Sequence, residues 1–162
     1  MNFDQVYEQY ADTVYSYLRF RLRDRHLVED VFQDTFLAVY ANLGSLLAAE
    51  SRKAWILTIA HRKMVDRLRK QSSEALPQQS NDRSDPSPSH EQQLVMQLDL
   101  ELFMQRLDDV SRQILYGIYV EKLTYKELAA ILGLPEGTVK SRCHYARNKM
   151  KEWLKEGAIQ DA

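Results

Sequence analysis

The chain has 162 residues, 22 Lys and Arg against 23 Asp and Glu, a formal net charge of −1 and one cysteine. A single thiol excludes an internal disulfide and argues against a secreted, disulfide-stapled scaffold. No apolar run reaches the roughly 20 residues that a membrane-spanning helix needs, and the polar start MNFDQVYEQY does not read as a signal peptide, so a cytoplasmic protein without membrane insertion is expected.

Apolar residues recur at helical spacing and strand-like alternation is almost absent, which predicts an all-α fold. Phe3 to about Leu22 reads as one helix, with Val6, Tyr10, Val14 and Tyr17 or Leu18 along a face. A second is expected from about His26 to Leu43, burying Val28, Phe32, Thr35, Phe36, Val39 and Leu43 and exposing Asp30, Gln33 and Asp34. Asn42 to Ser51 reads as a loop around Gly44, with a turn at Leu46, Leu47 and Ala48. A third helix, Arg52 to Lys70, is expected to bury Leu57, Ala60 or His61, Met64, Val65 and Leu68, and it holds seven bases against Asp66 alone. Lys63, Arg67 and Lys70 share one face of it, and Trp55 reads more readily as core than as a stacking platform for a base.

From Gln71 to Gln93 the pattern collapses into Ser, Gln, Pro and Asp with almost nothing to bury, a composition that cannot offset its own chain entropy. A flexible linker over 73–92 is therefore expected, separating a helical domain at 1–72 from a second at 93–156, with a tail at 157–162. The second domain opens with expected helices Leu94–Leu107 and Val110–Val120.

The stretch TYKELAAILGLPEGTVKSRCHYARNKM, Thr124 to Met150, is the most informative. Tyr125 to Leu132 reads as a helix opened by a Thr124/Glu127 capping box and closed by Gly133, with Pro135 in the first turn of the next. In that next helix Val139, Cys143, Ala146 and Met150 form the apolar face, while Lys140, Arg142, Arg147, Lys149 and Lys151 lie off it. No acid occurs between Thr138 and Lys151, so the outer face is cationic. A helix-turn-helix presents such a second helix to the DNA major groove, and DNA binding is the expected function of this half.

With both halves laid out, the segments VEDVFQDTFLAVYANL (Val28–Leu43), AWILTIAHRKMVDRLRK (Ala54–Lys70) and LDDVSRQILYGIYVEKLTYKELAAILGLPEGTVKSRCHYARNKM (Leu107–Met150) resemble the extracytoplasmic-function (ECF) group of bacterial sigma factors. The resemblance implies a region 2-like amino-terminal domain, a region 4-like carboxy-terminal domain and a role in directing RNA polymerase to promoters. It implies that Asp30, Gln33 and Asp34 grip a coiled coil on the largest subunit of core polymerase, whose flap is a further expected contact. It implies that Arg62, Lys63, Arg67 and Lys70 meet the downstream promoter element, where DNA strands are separated and one base is turned out of the stack beside the Asn42–Ser51 loop. Arg62 departs from the Asn usual in the family at that place, which leaves the identity of the captured base open. It implies, too, that the helix Glu136–Met150 reads the upstream element. Thr138, Lys140, Ser141, His144 and Tyr145 match groove positions, and Arg142 and Arg147 match phosphate anchors. An inhibitory anti-sigma factor is the remaining expected partner.

Two other functional classes fit the sequence less well. A stand-alone repressor using the same motif binds symmetric sites as a dimer and carries a dimer helix or sensor domain, neither of which is visible here. An enzyme needs a phosphate-cradling Gly loop, a metal-ligand spacing or a nucleophile paired with a base, and none is present. No catalytic residue, cofactor or metal is expected.

Overall fold

The computed structural model describes residues 1–74 and 102–160, and the chain divides into two compact units. All the regular structure among the described residues is helical. The expected linker from residue 75 onward, and the start of the helix expected from Leu94, lie outside the described residues, as do the last two residues of the expected tail.

The amino-terminal unit contains α1 (Phe3–Arg21), α2 (Arg25–Ala41), α3 (Leu43–Ala48) and α4 (Arg52–Glu74). Asn2 opens α1 through a capping box, its side chain accepting from the Gln5 amide at 2.9 Å while the Gln5 side chain accepts from the Asn2 amide at 2.9 Å. Asp24 opens α2 by accepting from His26 N–H at 2.9 Å. α2 packs against both α1 and α4, closing a core of Val6, Val14, Tyr17, Leu18, Val28, Val31, Val39, Leu46, Ile56, Leu57 and Ala60, none of them accessible to solvent.

Four expectations shift. The segment after α2 is the short helix α3 rather than a loop, because Leu46 buries itself completely and turns the chain inward. α4 runs on to Glu74, past the predicted end at Lys70 and into the first residues of the expected linker, since no Pro or Gly intervenes before Pro77. Leu68, expected in the core, is exposed, whereas Leu27, Val31 and Ile56 are buried. Trp55 is half-buried rather than core.

In the carboxy-terminal unit, residues 102–106 are helical and are followed by α5 (Asp109–Leu115), a π-helical turn (Tyr116–Val120), α6 (Tyr125–Leu132) and α7 (Glu136–Gln160). Asp108 caps α5 by accepting from Ser111 N–H at 3.2 Å. Arg112 ties the preceding helical turn to α5, donating to the carbonyls of Met104 at 3.1 Å and Leu107 at 3.2 Å. The π-helical turn replaces the final turn of the helix predicted to reach Val120. Within it Gly117 is buried against Leu128: a side chain at 117 has no room, so only Gly allows the two elements this close.

The helix-turn-helix forms as its sequence requires. Thr124 N–H donates to Glu127 Oε1 at 3.0 Å and Glu127 N–H to Thr124 Oγ1 at 3.1 Å, completing the capping box. Gly133 takes φ +68°, and Leu134 N–H returns to the Ala129 carbonyl at 3.1 Å, a Schellman-type closure. Pro135 stands one residue ahead of α7, its carbonyl accepting from Val139 N–H at 3.2 Å. Val139, Cys143 and Ala146 are fully buried. α7 continues ten residues beyond Met150 to Gln160, so part of the predicted tail is helical, and the Trp153 ring packs tilted against Phe103 with centroids 5.5 Å apart.

Candidate nucleic-acid interface

Along the α2–α4 seam two surfaces of opposite character lie end to end. Asp30 and Asp34, one turn apart on α2, face Arg67 of α4. The Arg67 guanidinium donates from Nε at 2.9 Å and Nη2 at 2.8 Å to Asp34 Oδ2, and its Nη1 lies 3.6 Å from Asp30 Oδ2. Further along the same two helices, Ala38, Asn42, Trp55, Thr58, Ile59, Arg62, Lys63 and Asp66 line a cavity of about 500 Å3. Cationic walls and an indole within one recess suit a phosphodiester chain with a base laid against an aromatic face.

Of the residues expected to meet DNA from α4, Arg62 and Lys63 are together in that cavity, and Lys70 is exposed farther along the helix. Arg67 is set apart from them by its two carboxylate partners. Gln33 is exposed beside Asp30, whereas Asp34 is half-buried. Asn42, from the segment expected beside the captured base, and Trp55, read in sequence more readily as core, line the same cavity because α2 and α4 pack side by side.

A polar cluster joins α1 to α4 behind this surface. Tyr17 Oη lies 3.0 Å from His61 Nδ1, and the Arg21 guanidinium sits 3.5 Å above the Tyr17 ring. Burial, then the Arg21 charge, pushes the His61 pKa down to about 4 from an ordinary 6.5, so the ring is neutral at physiological pH.

On α7, Lys140, Ser141, Arg142, His144 and Tyr145 are exposed, and Thr138 and Arg147 are half-buried. Lys140 and His144 stand one turn apart on the outward face, a geometry that a major groove accepts. Both expected phosphate anchors have partners within the unit. Arg142 Nη1 lies 3.1 Å from Asp108 Oδ2, and Arg147 Nη2 donates to Tyr125 Oη at 3.5 Å while its guanidinium lies 5.5 Å from the Tyr119 ring centroid. Hydrogen bonding from Ser111, ahead of the Arg142 charge, holds the Asp108 carboxyl below its ordinary pKa, so it is ionised opposite Arg142. Asp108 is legible in sequence as a helix cap but not as the partner of a residue 34 positions away. Tyr145 borders a second cavity, about 380 Å3, with Phe103, Leu107, Lys149 and Trp153.

Among the described residues no group of His, Cys, Asp and Glu could hold a metal ion, and no helix is long and apolar enough to cross a membrane. An all-helical pair of units, one ending in a cationic helix-turn-helix, defines a DNA-binding architecture. Residues 6–74 match the family model for Sigma-70 region 2, and residues 103–152 match that for Sigma-70, region 4. The ECF RNA polymerase sigma factor SigM of Bacillus subtilis (strain 168) is 30% identical over 164 residues, spanning 97% of this chain and 98% of the relative. SigK of Mycobacterium sp. (strain KMS), also an ECF RNA polymerase sigma factor, is 34% identical over 94% of this chain and 82% of its own length. The chain belongs to the ECF RNA polymerase sigma factors, and its work is transcription initiation. The fold is shared with two solved structures. Sigma factor RpoE from Bartonella quintana, in complex with the anti-sigma factor NepR, has a TM-score of 0.73 and 24% identity over 94% of this chain and 96% of its own. CnrH, in complex with the cytosolic domain of CnrY, has a TM-score of 0.65 and 23% identity over 95% and 88%.

Proposed function

We propose that this sigma factor docks on core RNA polymerase through the α2 face of Asp30, Gln33 and Asp34, and engages promoter DNA with two separate helices. The docking partner is a basic coiled coil of the largest subunit, with the flap taking the carboxy-terminal unit. The observation that carries this reading is the α2–α4 seam, where an acidic patch and a cationic, indole-lined cavity share one helix pair. Acids facing a basic partner steer association and fix its register. The neighbouring cavity, with Arg62, Lys63 and Trp55, then holds one separated strand of the downstream element, and Lys70 adds a phosphate contact. α7 reads the upstream element through Lys140, Ser141, His144 and Tyr145, with Thr138 at its entry and Arg142 and Arg147 orienting the helix on the backbone. The protein acts in the cytoplasm, where its polymerase is, and performs no catalysis itself. An anti-sigma factor that covers these faces is the expected regulator, in keeping with the complex of RpoE with NepR.

The test uses purified core polymerase. The wild-type chain forms a one-to-one complex that produces promoter-dependent run-off transcripts. Asp34→Lys abolishes that complex while the carboxy-terminal unit keeps its DNA affinity. Wild-type retention of core by Asp34→Lys overturns the docking assignment, and tight unaided binding to a palindrome points instead to a dimeric repressor.

A further inference from the structure

We infer that Arg67 is a positioning residue of the polymerase-docking surface, one that sets the two α2 carboxylates for their partner and does not itself contact promoter DNA. The inference rests on the docking role proposed above for Asp30 and Asp34.

Sequence position groups Arg67 with Lys63 and Lys70, one and two turns of a basic helix, and on that ground alone it is a phosphate contact. Its geometry differs from that of Lys63. Lys63 opens onto the cavity shared with Trp55 and Arg62, and the cavity is not lined by Arg67. All three guanidinium nitrogens of Arg67 are directed at α2 carboxylates: Nε and Nη2 converge on Asp34 Oδ2 at 2.9 and 2.8 Å, and Nη1 approaches Asp30 Oδ2 at 3.6 Å. One planar fork thereby links two acids that would otherwise repel each other across a single helical turn. The same three contacts tie α4 to α2 at the point where the docking surface ends and the DNA cavity begins.

All three contacts fall on the Oδ2 atoms, which leaves Oδ1 of each carboxylate for an incoming donor. The side chain of Asp34 is half-buried (29% exposed) and that of Arg67 is 39% exposed, so both are held against the α2–α4 seam in the free chain. Two effects of the arginine on docking oppose each other. Its charge repels a basic partner, but the patch stays net negative, two carboxylates against one guanidinium. Its fork fixes two acid rotamers that docking must otherwise fix, and every side chain ordered in advance is one less to immobilise on association. With the patch still net negative towards its partner, the ordering effect is expected to prevail.

Lysine distinguishes the roles. A phosphate contact needs a positive charge and accepts Lys, whereas a single ammonium cannot reproduce a planar fork across two carboxylates. Binding of core polymerase to wild type, Arg67→Lys and Arg67→Ala is measured by fluorescence titration, with thermal unfolding of each variant as the control for folding. In parallel, each holoenzyme, at saturating core, is titrated with a single-stranded fragment of the downstream promoter element at two salt concentrations. Both variants are expected to bind core about tenfold more weakly, the size of a coupling between side chains in direct contact. Fragment affinity and its salt dependence stay at the wild-type level. Wild-type core affinity with weakened fragment binding and a shallower salt slope in Arg67→Ala, recovered in Arg67→Lys, makes Arg67 a phosphate contact and overturns the inference. Tighter core binding by Arg67→Ala overturns it too, since Arg67 is then a competitor for the acids. Asp34→Lys in the same titration separates the two levels: if it leaves core binding intact, the docking surface itself is misplaced, whatever Arg67 does.

Discussion

Replacing Gly117 by Ala tests the packing that orients the helix-turn-helix. A Cβ at 117 stands 2.7 and 2.9 Å from the two methyl carbons of Leu128 and 3.3 Å from its Cγ. Carbon atoms in contact prefer about 3.5–4.0 Å. Leu128 is fully buried in the first helix of the motif and cannot swing into solvent, so the strain moves α6 or the π-helical turn. Overpacking of this kind costs about 1–3 kcal/mol. Exchanging Gly for Ala in a helical segment returns up to about 1 kcal/mol, leaving a net loss of about 0–2 kcal/mol. The assay is urea unfolding of the whole chain in a Trp55→Phe background, so that fluorescence reports Trp153, which packs against Phe103 in the same unit. Leu128→Val in combination makes room for the new methyl, and the double variant is expected to lose less than the two single losses added together. A Gly117→Ala chain more stable than the parent, or strictly additive losses in the double variant, refutes the close approach of the two elements. Because Leu128 belongs to the helix against which α7 is set, upstream-promoter binding is expected to weaken along with stability.

Gly133→Ala is expected to cost about 1–2 kcal/mol through backbone strain alone, because φ is +68° and nothing lies within 4 Å of the added carbon; Gly133→Asn is expected to cost less, a difference to be measured by the same urea unfolding. The His61 ring, with its pKa held near 4 in the folded chain, makes stability fall as acid is added. Above pH 6.5 neither state is protonated there; below it the unfolded chain takes up the proton and the folded chain does not, until the pH reaches about 4. After allowance for the partial exposure of His61, the wild type is expected to lose about 1 kcal/mol more than His61→Gln between pH 7 and pH 5. Equal losses in paired urea titrations remove the buried, neutral histidine from consideration. Lys140→Ala is expected to flatten the preference between cognate and altered upstream elements by about 1–3 kcal/mol. Uniform weakening on all sequences with a reduced salt slope assigns Lys140 to the phosphate backbone instead.

The local code of the helix-turn-helix was fully legible. Thr124, Glu127 and Gly133 act within a few bonds of their partners, and the apolar spacing of Val139, Cys143 and Ala146 is a property of one helix. Helix ends were legible less well: α3 forms because Leu46 finds a pocket in the neighbouring helices, and α7 is prolonged where Trp153 meets Phe103, neither of which a local pattern registers.

The candidate surfaces divide along the same line. Which residues are charged, and on which helix, is fixed by sequence, because periodicity alone separates the outer from the inner face of an amphipathic helix. What each charge faces is fixed by packing between helices, and it gives three arginines partners that one dimension does not show. Arg67, Arg142 and Arg147 read alike in sequence as contacts to DNA; in three dimensions they also meet Asp34 at a distance of 33 residues, Asp108 at 34 and Tyr125 at 22. Such pairings arise because folding brings whole faces together at once, and no residue carries in its own neighbourhood a record of the face it will meet.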